Sequence, residues 1–72
     1  MAYWLHCEDF ASALIGPFKE QEALIDHVGF CIRRGDGGIF QVIPEEAPVY
    51  ETYREKAHLI MTPEEDREKG AP

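Results

Sequence analysis

Two cysteines in 72 residues are too few for a disulfide framework, the usual brace of a secreted domain of this size. Basic residues are scarce as well: seven Lys and Arg stand against fourteen Asp and Glu, a formal net charge of -7. Affinity for a phosphate backbone comes largely from Lys and Arg that displace counterions, so direct DNA or RNA binding is not expected. No apolar run approaches the length of a membrane span or of a signal peptide's h-region. Together these shortages lead to the expectation of a cytoplasmic protein with reduced thiols, in contact with neither membrane nor nucleic acid.

What is present is enough for a core. With 44% hydrophobic residues the chain has a globular composition despite its charge. At 72 residues it makes one domain near the lower limit of independent folding, where burial against a partner helps. The acids are spread along it, six in residues 1 to 44 and eight in residues 45 to 72. A protein with a basic surface is therefore the expected partner, because opposite potentials speed encounter and discourage wrong partners.

Tyr3, Leu5 and Cys7 recur at the two-residue period of a strand. Glu8-Asp9 then offers a turn from which Phe10 to Ile15 can return as a second strand, Cys7 facing Phe10 and Tyr3 facing Leu14. A helical turn capped by Asp9 is the competing reading of FASAL. Gly16-Pro17 reads as the end of that element. KEQEALIDHV follows as a helix with acids in its first turn and Gly29 as its stop.

Phe30 to Arg34 fits either more helix or a third strand. A three-residue loop Gly35-Asp36-Gly37 would pair Ile32 with Phe40 and Phe30 with Val42, bringing four large apolar residues to one face. That match favours a hairpin and makes Arg34-Gly35-Asp36 part of a turn rather than an adhesion motif. VYETYREKAHLIM carries Tyr50, Tyr53, Ala57, Ile60 and Met61 at helical spacing. Thr62-Pro63-Glu64-Glu65 resembles a helix start, but the segment has almost nothing apolar to bury, so residues 62–72 read as a polar, frayed tail behind a compact domain of residues 1–61.

The expected architecture is α+β, a small ββαββα two-layer domain with a mainly antiparallel sheet and the first helix on one face. The other face, with Trp4, Ile15, Ile39 and Ile43, needs cover, and the tyrosine stripe of the second helix can supply it.

His6, Cys7, His27 and Cys31 form the metal-like set. His6 and Cys7 point to opposite faces of a strand, and Gly29 separates His27 from Cys31, so no metal and no cofactor are expected. The adjacent acid pairs suit solvated turns better than acid/base chemistry, and no catalytic residue is assigned. The expected function is a non-enzymatic protein-binding module, an adaptor or inhibitor whose acids meet a basic protein and could imitate a nucleic-acid backbone, as small phage-encoded inhibitors do. Its candidate contact residues are Glu45, Glu46, Glu51 and Glu55, with Trp4 and Ile39 on the sheet. The alternatives are a small homodimeric structural protein and, further off, a thiol- or metal-dependent enzyme.

Overall fold

The computed structural model of the chain describes residues 1–8, 12–35 and 38–69. Its elements are β1 (Tyr3–Glu8), β2 (Ser12–Phe18), α1 (Gln21–Arg34), β3 (Ile39–Pro44), α2 (Val49–Lys56), β4 (Leu59–Met61) and α3 (Pro63–Lys69). The sheet runs β3-β1-β2-β4; β1 is antiparallel to both its neighbours, and β2 and β4 are parallel. The α+β class and the mainly antiparallel sheet are those read from the sequence.

The two-residue alternation of β1 sends side chains to both faces, and both are buried. Leu5 joins Ile15, Phe18 and Leu24 of α1 in one cluster, with Tyr3, Cys7, Val28, Phe40 and Met61 packed against it. Trp4 joins Leu14, Ile43 and Tyr50 of α2 in the other, flanked by Tyr53 and Ala57. The tyrosine stripe does cover the second face: the Trp4 and Tyr50 rings lie 5.4 Å apart and tilted, an aromatic contact worth about 0.5–1.5 kcal/mol beyond its buried area.

The register of β2 differs from the expectation. Cys7 pairs with Ala13, Leu5 with Ile15 and His6 with Leu14, three residues along from the anticipated match. An odd shift exchanges the faces, so Leu14 lies under α2 and Ile15 under α1. Phe10 itself falls outside the described residues. Gly16 and Pro17 do not end the strand, which continues through a cis peptide bond to Phe18. A Cβ at Gly16 would stand 2.9 Å from two ring carbons of Trp4 and 3.1 Å from the Tyr3 carbonyl oxygen. The glycine is there because the indole crosses its backbone.

Phe30 to Arg34 are the last turns of α1 rather than a strand, and β3 pairs with β1 instead. A glycine inside a helix costs only about 1 kcal/mol relative to alanine, which the burial of Cys31 outweighs. The stop is Gly35, in the left-handed region at φ 96°, its N–H bonded to the carbonyls of Cys31 and Ile32. Arg34 is thus the final residue of a helix and Gly35 its cap. Asp36 and Gly37 of the anticipated loop fall outside the described residues.

Two further corrections lie at the C-terminal end. The helix anticipated through Met61 stops at Lys56, and Leu59–Met61 pairs instead with the free edge of β2, Leu14 opposite Ile60. The anticipated tail forms α3 over Pro63–Lys69. Thr62 and Glu65 cap it reciprocally: the Glu65 N–H donates to Thr62 Oγ1 at 3.1 Å, and the Thr62 N–H to Glu65 Oε1 at 3.0 Å. Pro63 sits at the first helical position, where its missing donor costs nothing.

Gly16→Ala forces the added methyl into the Trp4 ring and should lower stability by about 1–3 kcal/mol, the usual cost of overpacking. Urea unfolding followed by fluorescence of the single tryptophan measures it; a change under 0.5 kcal/mol would contradict the close approach.

Candidate functional site

The continuous helix reverses one premise of the sequence reading, because Gly29 no longer separates His27 from Cys31. Four positions apart in α1, they share a face, and α3 brings Asp66 to them. All three are buried. His27 Nε2 donates to Asp66 Oδ2 at 2.7 Å, while the Cys31 thiol lies 3.8 Å from the same oxygen. Arg34, one turn further on, donates from Nη1 to the Asp66 carbonyl at 3.0 Å and from Nη2 to both carboxylate oxygens at 3.4 and 3.3 Å. Its Nη2 also lies 3.6 Å from Cys31 Sγ.

A buried carboxylate is costly unless charge and hydrogen bonds compensate it. Here a guanidinium, an imidazole N–H and a thiol converge on Asp66, so its side chain is satisfied by groups on one helix. Phe30 supports the arrangement from outside, with the guanidinium carbons of Arg34 and Arg67 at 5.0 and 4.6 Å from its ring centre. Arg67 also pairs with Asp26 at 3.3 Å, a second and exposed link between α3 and α1.

The donor atoms of His27, Cys31 and Asp66 lie within 4.8 Å of one another, a set that suits zinc. The guanidinium of Arg34 already contacts two of the three, and the 2.7 Å His27–Asp66 bond is shorter than the separation of two ligands on one ion. Binding an ion here would mean breaking that bond and expelling Arg34. Nor is the order of contacts that of a nucleophile relay, in which imidazole touches the thiol and carboxylate orients the imidazole. Asp66 stands between His27 and Cys31, and what the geometry provides is a clasp that fastens α3 to α1. Beside it lies a cleft of about 270 Å³. Lys19 and Arg67 are balanced by Asp26 and Glu64 in its lining, so it offers no net charge to select an ion. His27 Nδ1 is buried without a hydrogen-bond partner.

The other anticipated ligands lie elsewhere. His6 is on the α2 side, its ring nitrogens 3.1 Å from Gln41 Oε1 and 3.0 Å from Ser12 Oγ, with the Tyr53 ring tilted against it at 4.5 Å between centres. Cys7 packs on the α1 side of the sheet, and both cysteines are free of disulfides. Of the anticipated contact residues, Glu45, Glu46, Glu51, Glu55 and Ile39 are exposed, whereas Trp4 is buried beneath α2 and offers a partner no surface.

Asp66 was missed because buried carboxylates leave no apolar period. The available signal was the Thr62-to-Glu65 capping box, which announces a helix whose next residue is Asp66. Comparison of the chain with protein-family models, with curated proteins and with solved structures gives no match.

Asp66→Ala removes the acceptor that His27, Cys31 and Arg34 share. Loss of one partner from a buried ion pair costs about 3–5 kcal/mol, and the 20% exposure of the Arg34 side chain places the effect at the lower end of that range. Urea unfolding should show a loss of about 3 kcal/mol; a variant as stable as the parent would dismiss the clasp.

Proposed function

We propose that the protein is a non-enzymatic binding module, an adaptor or an inhibitor, that meets a basic protein surface through the acids in and before α2. The observation that carries this reading is how α2 divides its faces. Tyr50, Tyr53 and Ala57 are committed to the core above Trp4, Leu14 and Ile43, which leaves Glu51 and Glu55 exposed on the outside. Four positions apart, these two share a face, and the exposed Glu45 and Glu46 precede the helix. Arg54 and Lys56, also exposed, temper that field without cancelling it.

Such a surface can imitate a nucleic-acid backbone and occupy the basic groove of a protein that handles DNA or RNA. Rim charges of this kind act mainly on association rate and on the exclusion of wrong partners. In this reading the protein works in the cytoplasm, where Cys7 and Cys31 remain thiols. No helix among the described residues is long and apolar enough to cross a membrane.

The test compares capture of proteins from the native cell by the parent chain and by the double variant Glu51→Lys, Glu55→Lys, at low and high salt. The variant should keep the parental circular dichroism spectrum, because both residues are exposed. The parent should capture a basic partner in a salt-sensitive manner, and the variant should associate with it about tenfold more slowly at low salt, the difference shrinking as screening increases. Equal rates at low ionic strength would remove the electrostatic reading.

A further inference from the structure

Among the described residues, β3 has a strand neighbour on one side only. The Glu45 N–H donates to the Ala2 carbonyl at 2.9 Å, extending the β1–β3 ladder by one pair. Bonded and non-bonded pairs alternate in an antiparallel ladder. Ile43, Gln41 and Ile39 therefore exchange bonds with β1, while Phe40, Val42 and Pro44 turn their main-chain groups outward. Pro44, which has no N–H, occupies one of these outward positions, as proline in an edge strand must. That leaves the N–H and C=O of Phe40 and Val42 facing away from the sheet, and β3 is the terminal strand.

The surroundings of that edge are apolar and uncharged. Ile39–Pro44 contains no ionisable residue, although edge strands are commonly protected by charge. Val42 is 53% exposed and Ile39 58%. Val42 and Phe40 point to the α1 side of the sheet, since they pair with Leu5 and Cys7. On α1, His27 and Cys31 face α3; the helical repeat puts Ile25 and Ile32 on the opposite flank with Val28, which packs against the same cluster as Phe40. Ile25 and Ile32 are 66% and 59% exposed. Ile25, Val28 and Ile32 form a flank without charge in a chain whose net charge is -7. Like charges oppose the meeting of two copies of such a chain, and Ile39–Pro44 itself adds none.

We propose that this edge joins two copies of the chain. With a two-fold axis through Gln41, Phe40 of each copy exchanges both main-chain bonds with Val42 of the other, and the outward groups satisfy one another in full. Phe40 and Val42 of the two copies become cross-strand neighbours on the α1 side of the sheet. The axis is perpendicular to the sheet, so four strands from each copy form one continuous layer with both α2 helices on the same side. β4, at the other edge, has only three residues and supports no comparable pairing. The proposal is independent of the basic-partner reading; if both hold, the acidic surface is presented twice.

Sedimentation velocity over a wide concentration range tests it, on the parent chain and on Val42→Lys and Val42→Pro. The first places a charge at the edge. The second removes an outward N–H and leaves the ladder with β1 whole. The parent should pass from monomer to dimer as concentration rises, and both variants should remain monomeric with parental circular dichroism. Gln41→Cys should give a disulfide-linked dimer on mild oxidation, since position 41 faces itself across the axis, whereas Glu51→Cys should not. A parent that is monomeric throughout, including one that instead takes up an extended peptide along β3, would overturn the proposal. So would a dimer that persists in both Val42 variants.

Discussion

The central pair of strands has no face it can leave in water. Leu5, Leu14 and Ile15 are almost wholly inaccessible, and Trp4 is buried on the side opposite Leu5. A half-buried antiparallel sheet alternates apolar with polar side chains, whereas β1 alternates one apolar surface with another. Two helical covers follow from that arrangement. α1 seals the Leu5 face and α2 the Trp4 face, and each shares its cluster with the same two strands. In a chain of 72 residues neither cluster is large enough to dispense with the other.

The remaining elements are consequences of closing those covers. Gly16 lets the indole lie across β2. β4 supplies Met61 to the Leu5 side and gives β2 its second neighbour. α3, which has almost no apolar surface, is held by polar chemistry instead: its single buried acid is satisfied by three groups on α1. The protein thus uses apolar packing for its centre and a charged clasp for its last element. Among the surfaces left outside are the exposed acids of α2 and the uncharged strand β3, which differ in chemistry.

Much of this was legible in the sequence where the signal is local. The period of Tyr3, Leu5 and Cys7 marks β1, and the spacing of Tyr50, Tyr53 and Ala57 marks both α2 and its docking face. Ile39 to Ile43 reads as a strand. The errors arose where two local signals were equivalent and a distant contact decided between them. Gly29 and Gly35 are equally good helix stops, and the choice of Gly35 depends on Cys31 finding Asp66 thirty-five positions away. Leu59 to Met61 continues a helical pattern, yet it is claimed by the open edge of β2. The candidate site was half visible: His27 and Cys31 stood out as a pair, but a carboxylate in a charged segment carries no mark of burial.

The central claim is that both helices are required by the same two strands, so that the domain opens as one unit. Amide hydrogen exchange under native conditions measures this residue by residue. The slowest amides of β1 and β2, those of α1 around Leu24 and those of α2 around Tyr53 should share one opening free energy, equal to that of global unfolding. Exchange of the α2 amides at a much lower free energy, with β1 and β2 still protected, would show that the Trp4 face tolerates water and would contradict the account.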